Sequence, residues 1–180
     1  MRLALTGVPG VGKTTIAQKM GQLGWRVIHL NDYARDAGML VQKDDARGAF
    51  VLDMDDLADS LNTHLRGYDG DVVIEAHFAH EMDVQRIVLL RADPLVLVER
   101  LRARGWRDEK VRENVEAEAL DVLADEVLQA DILARELDVT GLGVDDAARE
   151  VMAIAESRPE ALKGRPVGSA AWSLEPLPWY

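Results

Sequence analysis

The chain has 180 residues, 48% hydrophobic and 29% charged, with no cysteine. That length fits one ordinary domain with a short appendage, and it buries roughly 70% of the surface exposed on unfolding, enough for a core without metal or disulfide staples. The lack of cysteine excludes a disulfide scaffold, a cysteine nucleophile and a thiolate metal site, and the net charge of −11 argues against a basic surface that grips nucleic acid.

Leu3-Ala4-Leu5 is a short apolar run ending at a glycine-rich turn, and it reads as a buried strand. From Thr14 to about Leu23 the pattern is helical, with Ile16 and Met20 on one face and Gly24 as the stop. Trp25 to Leu30 alternates as a second strand, and Asn31-Asp32 is placed to cap a short helix reaching about Met39. Val41 to Leu52 has no period and reads as a mobile loop. Asp53 to His64 is helical, with acidic residues in its first turn. Val72-Val73-Ile74 is the clearest buried strand, and Arg86 to Arg91 encloses a fourth. Asp93-Pro94 opens a helix that Gly105 closes. Asp108 to about Glu136 reads as a charged helix pair or one broken helix, with Val111, Val115 and Val122 on its apolar side. Leu137 to Thr140 is a short fifth strand, and Val144 to Ser157 a final helix.

Strands alternating with helices imply an α/β domain with an open parallel sheet and helices on both faces, over residues 1–157. Four of the six prolines and two of the four tryptophans fall in residues 158–180, which read as an extended tail. No run approaches 18 uncharged apolar residues, and the start reaches Gly7 and Pro9 too soon for a signal peptide. The expectation is a soluble, cytoplasmic protein with no membrane contact.

Gly7-Val8-Pro9-Gly10-Val11-Gly12-Lys13-Thr14 matches G-x-x-x-x-G-K-[ST] between a strand and a helix. Gly10 and Gly12 let the backbone curl so that N–H groups point at phosphate oxygens, and the helix start adds positive potential. Lys13 is expected on the β and γ phosphates, the Thr14 hydroxyl on Mg²⁺ and Thr15 at the α phosphate. No N-K-x-D guanine signature occurs, and a hexameric motor needs a larger domain, which leaves a small kinase or ATPase.

Such an enzyme needs a carboxylate at a neighbouring strand end, and Glu75 follows Val72-Val73-Ile74 directly. Its extra methylene suits Mg²⁺ contact through water. His77 either positions water or a phosphoryl oxygen, or is a hydrogen-bonded structural residue; His29, His64 and His80 read as structural or solvated. Six of 21 cationic side chains lie between Arg100 and Arg112, a grouping suited either to triphosphate charge or to a solvated face of ion pairs. Asn31 and Asp32 at a strand end, with Arg35 one helical turn later, form a second candidate pocket, in which Asp32 orients an acceptor phosphate or hydroxyl and Arg35 holds its charge, with an ordinary helix cap by Asn31 or Asp32 as the competing account.

Taken together, Thr6 to Thr15, Asn31-Asp32 with Arg35, Leu52 to Asp55, Val73 to His77, and Glu99 through Trp106 to Glu118 resemble the atypical adenylate kinase and small-ribosomal-subunit assembly ATPase family. Its members include nuclear CINAP-type adenylate kinases and archaeal counterparts. The similarity covers about residues 1–155. It implies a P-loop NTPase fold of the nucleoside monophosphate kinase type, with a five-stranded parallel sheet, a monophosphate-binding module at about 30–52 and a lid at about 103–113. It implies ATP + AMP ⇌ 2 ADP with ATPase activity, Mg²⁺ as cofactor and Arg104 near the adenine. It further implies a role in small-subunit maturation and rRNA processing through transient binding of a basic platform ribosomal protein, to which the acidic surface is suited. Glu75-Ala76-His77 stands where the family has Asp-Tyr-His, and Lys43 to Phe50 replaces an acid-rich loop. The tail from Arg158 has no placed counterpart. Two alternatives stand beside this reading: a nucleotide-switched binding module with incidental kinase activity, and a small-metabolite kinase on the same fold.

Overall fold

The computed structural model describes residues 1–39, 42–44, 49–163, 166–172, 175 and 177–179. In chain order, the first half runs β1 (Arg2–Thr6), α1 (Lys13–Gln22), β2 (Arg26–His29), α2 (Leu30–Asp36), β3 (Gln42–Asp44), β4 (Ala49–Val51), α3 (Met54–His64) and β5 (Val72–Glu75). A 3-10 turn at Ala79–Glu81 leads to β6 (Arg86–Arg91), α4 (Pro94–Ala103), α5 (Asp108–Ala119), α6 (Val122–Gln129), β7 (Ala134–Asp138), α7 (Val144–Ala155) and α8 (Pro159–Leu162).

Five strands form one parallel sheet in the order β2-β5-β1-β6-β7. The period-2 geometry of a strand divides its side chains between two cores. Leu3 and Leu5 of β1, Val73 of β5 and Val88 and Leu90 of β6 enter the core that includes α1, α4, α5 and α7. Ala4, Val72, Ile74 and Ile87 enter the opposite one, with Leu57 and Leu61 of α3. Because both faces are covered, these strands read as continuous apolar runs rather than alternating ones. After β1 the chain passes to β2 at one edge, returns through β5, and then builds β6 and β7 on the other side. The strand order therefore reverses around β1, and its carboxyl end opens the crevice where ligands bind in such sheets.

The helix ends follow local chemistry. Asp53 caps α3 by accepting from the amides of Asp55 and Asp56, both at 3.1 Å. Asp93 caps α4 through the Leu95 amide, with Pro94 at its first position and Gly105 beyond its end at φ +75°.

Several expectations need correction. Asn31 and Asp32 do not cap α2: the cap position is His29, and both residues lie within the first turn. The stretch read as a mobile loop contains an antiparallel pair, β3 with β4, while residues 41 and 45–48 of that stretch and residue 40 before it, and so part of the 30–52 module, lie outside the described residues. The charged helix region ends at Gln129, and the fifth sheet strand starts at Ala134, not Leu137. Val111 and Val115 are buried as expected, but Val122 is 45% exposed at the start of α6.

The tail is not simply extended. It forms α8, and Ala161 and Leu177 are buried in the α1/α7 core with Trp179 packed against it. Gly168 N donates to Glu136 at 3.0 Å, and the Ser169 hydroxyl also donates to that carboxylate. Ser173, Leu174, Pro176 and Tyr180 of the tail lie outside the described residues.

Beneath the tail is an ion cluster that the sequence does not announce. Arg91, 1% exposed, donates to Glu118 at 2.7 Å, to Glu136 at 3.3 Å and to Asp121 at 2.6 Å. Glu118 also accepts from the Ala92 amide. Burial pushes the Glu118 carboxyl up, against the opposing pull of Arg91. The cluster ties the end of β6 to the end of α5 and to β7.

Candidate active site

The site is assembled at the carboxyl ends of β1, β5 and β2. Gly10 (φ +90°) and Gly12 (φ +115°) hold left-handed backbone in the turn after β1, and a Cβ on Gly10 would approach Leu101 Cδ2 to 2.9 Å. The loop is thus seated directly on α4. Gly12 occupies the cap position of α1, so the first amides of that helix, which have no intrahelical partner, face outward from the loop.

Lys13 is buried beneath the loop and donates to the carbonyls of Gly7 at 2.8 Å and Val8 at 3.2 Å. Burial lowers its pKa to about 8; Glu75 opposes this and Arg104 adds to it. Glu75, at the end of β5, is 7% exposed, and its two oxygens have different partners. Oε1 accepts from the Thr14 hydroxyl at 3.3 Å, and Oε2 lies 2.9 Å from His29 Nδ1. The His77 carbonyl accepts from the Thr6 hydroxyl at 2.7 Å, which fixes the segment after β5 against β1. Burial lowers the His77 pKa, with Lys13 and then His80 adding to the effect, so its imidazole is neutral at pH 7.

Two adjoining cavities result. One, of about 260 Å³, is lined by Pro9, Gly10, Gly12, Lys13, Thr14, Thr15, Asn31, Glu75, His77, Arg104 and Trp106. The other, of about 200 Å³, shares Gly10, Gly12, Thr15 and Arg104 and adds the apolar side chains of Val139, Leu142, Val144 and Ala147. The first has the charge and donors for phosphate. The second offers an apolar recess for a flat ring. Thr14 Oγ1 and Glu75 Oε1 are hard oxygen donors side by side at the phosphate cavity, a set that fits Mg²⁺ held largely by water and phosphate.

Of the residues expected from sequence, Gly10, Gly12, Lys13, Thr14, Thr15, Glu75, His77 and Arg104 converge here. Asp32 and Arg35 do not line either cavity; they pair with each other at 2.7 Å on the exposed side of α2, while Asn31 faces the cavity. The cationic run also divides. Arg100 lines the apolar cavity and donates to the Val11 carbonyl at 3.2 Å, whereas Arg102, Lys110 and Arg112 pair with Asp108, Glu113 and Glu116. His29, read from sequence as structural or solvated, is hydrogen-bonded to Glu75, and Trp106 and Val139 enter the cavity linings without having been expected there. His29 could have been found from the parallel ending of two strands, had their register been known.

Comparison with known proteins bears on the family and the fold. The model of the AAA domain family matches residues 3–121. The chain is 33% identical over 175 residues to "Putative adenylate kinase" of Archaeoglobus fulgidus, covering 97% of this chain and 93% of the relative. It is 37% identical over 174 residues to the protein of the same name from Pyrococcus abyssi, covering 96% and 92%. The similarity therefore continues well into the tail, beyond the expected limit at about residue 155. Among solved structures, a shikimate kinase from Bacteroides thetaiotaomicron superposes with a TM-score of 0.58 at 18% identity, covering 87% of this chain and 98% of that one. The tunicamycin resistance protein of Deinococcus radiodurans gives 0.57, also at 18%, covering 86% and 94%. These two share the fold, a parallel sheet with helices on both faces.

Proposed function

The chain belongs to the AAA domain family, with the archaeal adenylate kinase-named proteins as relatives, and we propose that it is a nucleoside monophosphate kinase catalysing ATP + AMP ⇌ 2 ADP with ATP hydrolysis alongside. The observation that carries this reading is the meeting of Lys13, Thr14, Glu75 and Arg104 in one cavity that adjoins an apolar recess.

In this mechanism the recess holds the donor base, and the amides of the glycine loop and of the α1 start hold the phosphates. Lys13 leaves its carbonyl partners to meet the β and γ oxygens, where a buried cation stabilises charge that builds during transfer. Arg104, shared by both cavities, spans base and phosphate. Thr14 and Glu75 would hold Mg²⁺, which, when bound, neutralises phosphate charge. The neutral His77 imidazole orients the attacking oxygen or a water. On the acceptor side Asn31 faces the cavity, and Arg35 meets the monophosphate by exchanging its pairing with Asp32. Residues 30–52 act as the monophosphate module and 103–113 as the lid, which closes on the triphosphate; residues 1–157 form the kinase domain and 158–180 a C-terminal tail.

The family resemblance and the charge of −11 support a cytoplasmic role in small-subunit maturation, with transient binding of a basic platform ribosomal protein. The site is tested by Lys13→Ala. It is expected to lower ADP formation and ATP hydrolysis together by about 100-fold; intact turnover in a folded variant would remove Lys13 from the site.

A further inference from the structure

His29 closes β2 and Glu75 closes β5, and these strands are parallel neighbours with His29 and Glu75 in register. Side chains in register on adjacent strands, about 4.8 Å apart, share one face of the sheet. The result is the 2.9 Å contact between His29 Nδ1 and Glu75 Oε2, in which the ring N–H donates to the carboxylate. Thr14 holds the other oxygen from α1. Glutamate carries one more rotatable bond than aspartate, so a carboxylate on this longer arm needs a second anchor if it is to present one oxygen consistently to Thr14. The imidazole, fixed at a strand end and only partly exposed, is such an anchor.

We propose that His29 is a positioning residue for Glu75: by holding Oε2 it turns Oε1 toward Thr14 and sets the carboxylate for Mg²⁺·nucleotide. This rests on the reading of the cavity as a nucleotide site, and it assigns a role that neither the phosphate loop nor the Glu75-Ala76-His77 segment supplies.

The test is the affinity for ATP measured by calorimetry on the full chain, once with excess Mg²⁺ and once with a chelator. His29→Ala and His29→Phe remove the donor, the second retaining the bulk of a ring, and His29→Asn puts an amide N–H close to the place of Nδ1. The expected result is unchanged affinity without Mg²⁺ and a roughly tenfold smaller gain on adding it for Ala and Phe, with the gain restored by Asn. Should Ala fail to fold, Phe against Asn decides. An Mg²⁺-dependent gain in the Phe variant equal to that of the wild type, or an Asn variant as poor as Phe, overturns the positioning role and leaves the nucleotide site standing. A wild-type chain without affinity for ATP overturns both.

Discussion

Lys13 is a cation held where water cannot solvate it well, and its hydrogen bonds to two loop carbonyls, with Glu75 and Glu118, compensate in part. With its pKa lowered to about 8, Lys13 is charged below that pH and neutral above it in the free protein. Triphosphate restores the charge, because an opposite charge favours the protonated form. Binding of ATP should therefore be accompanied by almost no proton uptake from solvent onto Lys13 at pH 7 and by nearly one near pH 9, with affinity falling as pH rises through 8. Calorimetry in buffers of different ionisation enthalpy measures this directly; proton uptake that does not change between pH 7 and 9 would contradict it. At this scale the sequence was most informative where chemistry demands a fixed spacing, as in Gly10 to Thr15. It was least informative for pairs such as His29 and Glu75, which are 46 residues apart and meet only through strand register.

The ends of elements carry much of the specific structure. Asp93 was legible as a cap because capping is local, one residue acting on amides two or three positions ahead; Asp53, read from sequence as the first helical residue, is the cap of α3 by the same chemistry. Asn31 and Asp32 have the same local chemistry but lie inside α2, since β2 runs straight into the helix from His29. The strand at Ala134 was obscured because Ala-Arg-Glu begins an edge strand whose buried Glu136 is held by Arg91 and by Gly168 and Ser169 of the tail. Removing that arginine strands two buried carboxylates, and breaking such a pair costs about 3–5 kcal/mol. Arg91→Met is accordingly expected to lower the unfolding free energy by about that amount in urea titration, with part of the loss recovered at low pH as Glu118, whose pKa burial raises, becomes protonated. A change below about 1 kcal/mol would show that the cluster contributes little to holding α5 and β7 on the sheet.

For the molecule as a whole, alternation of strands and helices was enough to expect a doubly covered parallel sheet, because each apolar run had to be buried on both faces. The tail was not legible in the same way: its contacts are with Glu136 and with the α1/α7 core, long-range partners that proline and tryptophan content cannot name. Among the described residues, no helix is long and apolar enough to cross a membrane. The charge of −11 resolves into a cationic lining at Arg100 and Arg104 and a surface on which several arginines are already paired with acids. A basic ribosomal protein bound by that surface should be captured at low salt and lost as salt screens the attraction, and ATP should change the amount captured if lid position reaches the interface. Capture that is indifferent to salt would argue against an electrostatic partner.

The proposed reaction is phosphoryl transfer from a triphosphate to a nucleoside monophosphate at the Lys13 loop. Its most direct measurement is product chromatography after incubating the chain with Mg²⁺ and a panel of nucleoside triphosphates, each with and without nucleoside monophosphates and hydroxy acids. The expected products are two ADP per ATP consumed when AMP is present and, when AMP is omitted, ADP and phosphate formed by hydrolysis more slowly than transfer to AMP. Transfer to a hydroxy acid, or phosphate release that AMP neither diverts nor slows, would contradict it.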